Sequence, residues 1–222
     1  MTIAVEVYES FAEGAAARLA PELSRAGSII LTGGTTAADV YSLLPPGCLR
    51  PDASVFFSDE RCVPPDHESS NYAMAAARLS LGGDGGTAVY RMRGEDEPEQ
   101  AAAAYHDAIV PFAGRGIDVA LLGLGADCHV AALFPGSPAL DARERLCAAV
   151  DRPDGLRGLT LTPPAVATAQ KVFVIVSGRS KREAVARLVS GDETLHDCPA
   201  RLLAELPDVI LLGDRDSTGR PT

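Results

Sequence analysis

Two runs, Val119-Ala-Leu-Leu122 and Val172-Phe-Val-Ile-Val176, are continuously apolar and too short for helices. A strand can be apolar on every residue only if both of its faces are covered, as in a parallel sheet layered by helices. Similar short runs alternate with helical patterns along the chain. Ile3–Val7 precedes Phe11–Arg25, Ser28–Leu31 precedes Ala37–Leu44, and Ser54–Phe57 precedes Tyr72–Leu79. Ala88–Tyr90, Glu97–Phe112, Ile117–Leu122, Leu146–Val150, Leu159–Leu161, Lys171–Val176, Lys181–Val189, a helical turn at Ala200–Ala204, and Val209–Leu212 continue the rhythm. The pattern predicts an α/β fold, doubly wound, with a mostly parallel sheet and helices on both faces. Ser10 with Glu13 reads as a capping box for the first helix. The joints at 81–86 and 151–155 are short enough to be loops, so residues 1–222 are expected to form a single domain.

A formal charge of −10 without any basic cluster excludes a nucleic-acid partner, because such partners draw their affinity from grouped Lys and Arg. No stretch approaches the ~18 apolar residues of a membrane span, and the N-terminus has no basic start followed by an apolar run. The five cysteines (48, 62, 128, 147, 198) are scattered, without a Cys-x-x-Cys pair. That spacing suits neither a disulfide framework nor a zinc site, and reduced thiols imply a cytoplasmic location. An acidic chain that binds phosphate must do so locally, with a few cations and backbone N–H groups.

Four segments have the composition for this. Leu31-Thr-Gly-Gly-Thr-Thr36 ends a strand in two glycines just before a helix, so Gly33, Gly34 and Thr35 could offer N–H groups to an anion. It is neither a Walker loop nor a dinucleotide fingerprint, and it would also serve as a plain turn with Thr36 as N-cap. Phe56-Phe-Ser-Asp-Glu-Arg61 brings Asp59, Glu60 and Arg61 to the same rim, with Ser69-Ser-Asn71 close behind. Arg61 is the natural phosphate ligand, since its planar fork donates two parallel hydrogen bonds; a surface charge cluster with Ser69 or Ser70 capping the next helix is the plainer alternative.

In Leu122-Gly-Leu-Gly-Ala-Asp-Cys-His129, His129 has the chemistry of a general base and Asp127 could orient it. Gly123 and Gly125 are expected to leave N–H groups free for a developing oxyanion. Cys128 beside His129 suggests a thiol nucleophile, but adjacent residues seldom aim at one point. Finally, Lys181 falls in the first turn of a helix, where a cation opposes the macrodipole unless an anion sits there. A solvated surface lysine would look the same.

Taken in order and spacing, these segments, with Leu159-Thr-Leu-Thr-Pro163, resemble the 6-phosphogluconolactonase family of the glucosamine/galactosamine-6-phosphate isomerase superfamily over nearly the whole chain. The resemblance implies a hydrolase of 6-phospho-D-glucono-1,5-lactone, acting in the oxidative pentose phosphate pathway without metal or other cofactor; the chain is expected as a monomer or homodimer. It also implies that His129 activates water, while the Gly33–Thr35 loop, Arg61 and Lys181 hold the sugar phosphate, with Asp59 and Asn71 in the substrate site. Two positions depart from the family pattern. Cys128 stands where a glycine is usual, which would be strained if that position needs φ > 0. Arg157 stands one residue off the usual arginine, a slip that turns a side chain to the opposite face of a strand. A glucosamine-6-phosphate deaminase would continue the loop with Phe-Asn-Glu-Pro, whereas this chain has Leu133-Phe-Pro135. A non-catalytic sugar-phosphate sensor is the other alternative.

Overall fold

The computed structural model describes residues 3–82 and 86–222, so the centre of the predicted joint at 81–86 lies outside the described residues. In chain order the elements are β1 (Ala4–Tyr8), α1 (Phe11–Leu23), β2 (Ser28–Leu31), α2 (Thr35–Leu43), β3 (Ser54–Phe57), β4 (Asp59–Arg61), α3 (Asn71–Leu79), β5 (Ala88–Val89), α4 (Pro98–Ala113) and β6 (Ile117–Gly123). They continue with β7 (Cys147–Asp151), β8 (Arg157–Leu161), α5 (Pro163–Val166), β9 (Ala169–Val176), α6 (Arg182–Ser190), β10 (Val209–Asp214) and α7 (Arg215–Thr218).

Seven strands form one wholly parallel sheet in the order β1-β10-β9-β6-β2-β3-β5. Its two faces read off as period-two alternation along each strand. Ile29 and Leu31 of β2 join Val55, Phe57, Val119, Leu121, Phe173 and Ile175 beneath α1 and α2. Ile30 joins Phe56, Ala120, Leu122, Val172 and Val174 beneath α4 and α6. No helix among the described residues is long and apolar enough to cross a membrane.

Strand order reverses beside β2. From there the chain moves outward through β3 to β5, then returns to place β6 on the other side of β2 and continues through β9 toward β10. The carboxyl ends of β2 and β6 therefore diverge, leaving the crevice where open α/β sheets bind ligands. Two buried tyrosines tie off backbone groups that the ladders leave unpaired. The Tyr41 hydroxyl accepts from the Thr32 N–H and donates to the Thr32 carbonyl, both at 3.1 Å. Tyr105 does the same for Phe57, at 2.7 and 3.1 Å.

A second sheet, antiparallel β4-β8-β7, lies beside this crevice. Ser58 is the crossover, its N–H donating to the Leu31 carbonyl in the large sheet and its carbonyl accepting from the Leu161 N–H in the small one. Three local expectations need correction. Ser10 makes no side-chain cap, so the capping box is not formed. Thr36 lies inside α2, whose N-cap is Gly34 at φ +91°, a conformation open to glycine. The turn at Ala200–Ala204 belongs to a longer 3₁₀ segment, Pro199–Glu205.

Candidate active site

A cavity of about 180 Å³ opens at the carboxyl ends of β2 and β6. Gly33, Gly34, Thr35, Asp59, Arg61, Asn71, Gly123, Gly125, His129 and Lys181 line it, and Asp127 stands behind His129. On the β2 side it meets the first turn of α2. There the N–H groups of Thr35, Thr36 and Ala37 have no intrahelical acceptor and carry the positive end of the helix dipole.

Asp59 and Arg61 reach the cavity because the Asp-Glu-Arg segment is a strand. Alternation sends residues 59 and 61 to one face and Glu60 to the other. Glu60 is buried against the start of α3, where it accepts from the N–H groups of Asn71 (2.7 Å) and Tyr72 (2.8 Å) and from the Ser70 hydroxyl (2.9 Å). Burial pushes its carboxyl up, and these hydrogen bonds only partly offset that. Glu60 is therefore a helix cap shared with Ser70, whose Oγ accepts from the Ala73 N–H. Asn71 donates Nδ2 to the Asp59 carbonyl at 2.9 Å and to Asp59 Oδ2 at 3.1 Å. It packs onto Gly33, where a side chain would collide with it. Arg61 is anchored by Nη1 on the Ser69 carbonyl at 2.7 Å.

The loop after β6 is built differently. His129 Nδ1 lies 2.6 Å from Asp127 Oδ1, which leaves Nε2 as the ring nitrogen available to a ligand. Burial pushes the Asp127 carboxyl up, but the hydrogen bonds and attraction of His129 outweigh it and hold that carboxyl below the usual range. A side chain at Gly125 would collide with both members of this pair. The expectation that Gly123 and Gly125 offer free N–H groups is not met. Gly125 donates to the His129 carbonyl at 2.8 Å and Gly123 to Thr32 Oγ1 at 3.3 Å. Gly125 thus serves close packing and closure of the loop, whereas a Cβ at Gly123 would meet only Thr32 Oγ1, at 3.7 Å.

Two non-glycine residues with left-handed backbone, Cys128 (φ +70°) and Ala131 (φ +52°), bracket His129. Each costs about 1–2 kcal/mol relative to the right-handed region. They are held there from outside. Ala132 N–H donates to Thr160 Oγ1 on β8 at 3.0 Å, and the Cys128 carbonyl accepts from the Ala200 N–H at 2.9 Å. Cys128 points away from the cavity, its sulfur 3.8 Å from the Ala184 carbonyl. Burial and the adjacent Cys198 push its thiol up to about 12, so it is not a nucleophile beside His129. All five cysteines are unpaired.

Lys181 ends the 3₁₀ turn Arg179–Lys181 ahead of α6 and is half-buried at the cavity. Arg157 does not reach it. That side chain is exposed and pairs with Glu99 at 2.7 Å and Asp151 at 3.1 Å. Arg152, at the β7–β8 turn, lines the cavity instead, along with Thr32, Thr36 and Leu124. Cys147 to Leu161 reads as two strands around Pro-Asp-Gly, a hairpin signal that would have put residue 152 beside residues 156–158. Within an acidic protein the cavity thus gathers Arg61, Arg152 and Lys181 against Asp59, the one lining carboxylate among the described residues.

Fold and cavity together define an α/β protein with a cation-lined crevice at its topological switch point. Residues 3–211 match the family described as glucosamine-6-phosphate isomerases/6-phosphogluconolactonase. A 6-phosphogluconolactonase of Synechocystis is 34% identical over 200 residues, 86% of this chain and 83% of its own length. That of Mycobacterium tuberculosis is 32% identical over 209 residues, covering 86% and 84%. The one from Treponema pallidum is 39% identical over 145 residues, in which the match spans 59% of the relative's length. Among solved structures, 6-phosphogluconolactonase from Trypanosoma cruzi superposes with a TM-score of 0.83 at 25% identity, covering 100% of this chain and 98% of that one. A monomeric glucosamine-6-phosphate deaminase shares the fold at 0.84 and 19% identity, covering 99% of each. The chain belongs to this family, as an enzyme of its 6-phosphogluconolactonase branch.

Proposed function

We propose that the chain hydrolyses 6-phospho-D-glucono-1,5-lactone to 6-phosphogluconate, serving the oxidative pentose phosphate pathway, with His129 as general base. The observation that carries this reading is the Asp127–His129 pair, at 2.6 Å, on a cavity that the N-terminus of α2 also lines. The α2 N–H groups, Arg61 and Lys181 hold the phosphate, and Asp59, fixed by Asn71, orients the ring through its hydroxyls.

His129 Nε2 takes a proton from water as the water oxygen bonds to the lactone carbonyl carbon. Asp127 fixes the ring and stabilises the imidazolium. As the tetrahedral centre collapses, the bond from that carbon to the ring oxygen breaks, and the imidazolium returns its proton to the departing oxygen. The Gly123 and Gly125 N–H groups, engaged by the Thr32 hydroxyl and the His129 carbonyl, are not the donors that receive negative charge on the carbonyl oxygen. Phosphate binding, remote from the reacting carbon, supplies the orientation.

The test is lactone generated in place from glucose 6-phosphate, with acid release followed against spontaneous opening. Wild type is expected to accelerate it, and His129→Ala to lose about 10²–10⁴-fold in kcat while still binding 6-phosphogluconate. An unchanged kcat in the variant refutes the assignment of the base. Binding without acceleration by wild type points to the sensor reading.

A further inference from the structure

Arg152 has a side chain only 9% exposed, yet it starts from a hairpin turn at the surface. Its path is opened by Gly158. A Cβ there would stand 2.9 Å from Arg152 Cδ and 3.1 Å from the Glu60 carbonyl oxygen, closer than an unstrained contact. Gly158 is the centre of the small sheet, opposite Arg61 on β4 and Val150 on β7, and its φ is not one that demands glycine. The missing side chain is there to let the arginine stem cross the sheet.

At the end of that path the guanidinium lies 5.5 Å from the centre of the Phe134 ring, the ring that also packs against His129, with centroids 4.7 Å apart and planes tilted by 53°. Nε and Nη2 both donate to Asp154 at 3.1 Å. Nη1 faces Asp59 Oδ2 at 3.8 Å, beyond hydrogen-bond distance. Arg61 is likewise incompletely paired, its Nε buried without a partner. Two half-buried arginines on one cavity, with donors to spare, suit an anionic oxygen between them better than either suits the other.

From this we infer that Arg152 is a substrate-binding residue, donating Nη1 to an anionic oxygen of the bound sugar phosphate, and that Gly158 is the positioning residue that admits it. The inference rests on the sugar-phosphate reading of the cavity. It assigns to the β7–β8 turn a specificity role, selecting substrates that carry the phosphate.

Calorimetric titration with 6-phosphogluconate and with inorganic phosphate tests it without requiring turnover. Arg152→Ala is expected to weaken 6-phosphogluconate binding on the order of 10-fold or more, and Arg152→Lys to recover part of the loss. Gly158→Ala should weaken binding by a similar factor although it removes no charge. In the Arg152→Ala background Gly158→Ala should then add nothing, because its effect has already been removed. Wild-type affinity in Arg152→Ala, with only a lower Tm, would reduce Arg152 to a brace for the hairpin. Additive losses in the double variant would detach Gly158 from Arg152, and failure of wild type to bind either probe would overturn the inference. Wild-type binding without lactone turnover, still lost in Arg152→Ala, would refute the lactonase reading while leaving Arg152 in its role.

Discussion

The two glycine loops that frame the cavity look alike in sequence and are opposite in construction. After β2, Gly33-Gly34-Thr35 opens directly into a helix and leaves the first N–H groups of α2 facing the cavity. After β6, Gly123-Leu-Gly125 turns inward, and both glycine N–H groups are taken by neighbours. One loop offers backbone and the other offers side chains. The N–H groups after β2 end in a dipole and no acceptor, the construction that suits an anion; those after β6 are closed, with Asp127 and His129 held at one distance. Glycine marks a close approach, as at Gly33 and Gly125, or a left-handed turn, as at Gly34, and only the hydrogen-bond partners show what each loop does with it.

The sharpest way to break this contrast is Gly125→Ala. Its methyl group would collide with His129 Nδ1 and Asp127 Oδ1, so the pair must separate or rotate. Misplacement of a catalytic group by about 1 Å costs roughly 100-fold, and we expect kcat to fall by about that factor with KM nearly unchanged. A rise in KM alone would mean that this loop binds the phosphate and that the division of labour is wrong. A smaller effect of the opposite kind is expected on the other loop. Thr35 is the first residue of α2, a position where proline keeps the helix but removes one N–H. Thr35→Pro should raise KM about 10-fold beyond the effect of Thr35→Ala, which removes only the hydroxyl, and should leave kcat within about twofold. Equal KM values for the two variants would show that the α2 backbone does not touch the substrate.

Legibility followed the range of the interactions. β2 and β3 are found at their expected bounds, Ser28–Leu31 and Ser54–Phe57, because strands buried on both faces announce themselves by composition. β4 does not. Asp-Glu-Arg is a poor strand sequence, and its ladder comes from β8, about a hundred residues later. The side chains gathered at the rim could be named from the strand ends that carry them, whereas Arg152 could not, since it depends on a glycine six positions away in a partner strand. Ser10 and the N–H groups of Gly123 and Gly125 depart from the sequence expectation for the same reason. A donor's chemistry is local, but its partner is chosen by tertiary structure.

The smallest effect tests the claim that the His129 loop uses its carboxylate and imidazole but not its sulfur. Cys128 occupies left-handed backbone at φ +70°, where glycine would relieve about 1–2 kcal/mol, yet its side chain is wholly buried beside α6, and losing that contact forfeits a comparable amount. Cys128→Gly should therefore change stability by no more than about 1 kcal/mol, read as a small shift in the urea midpoint. A thiol pushed up to about 12 by burial carries no charge between pH 6 and 9, so the pH profiles of Cys128→Ser and wild type should superimpose over that range. An alkaline limb present in wild type and absent from Cys128→Ser would place the thiolate in the reaction, and the two loops would then differ by three functional side chains instead of two.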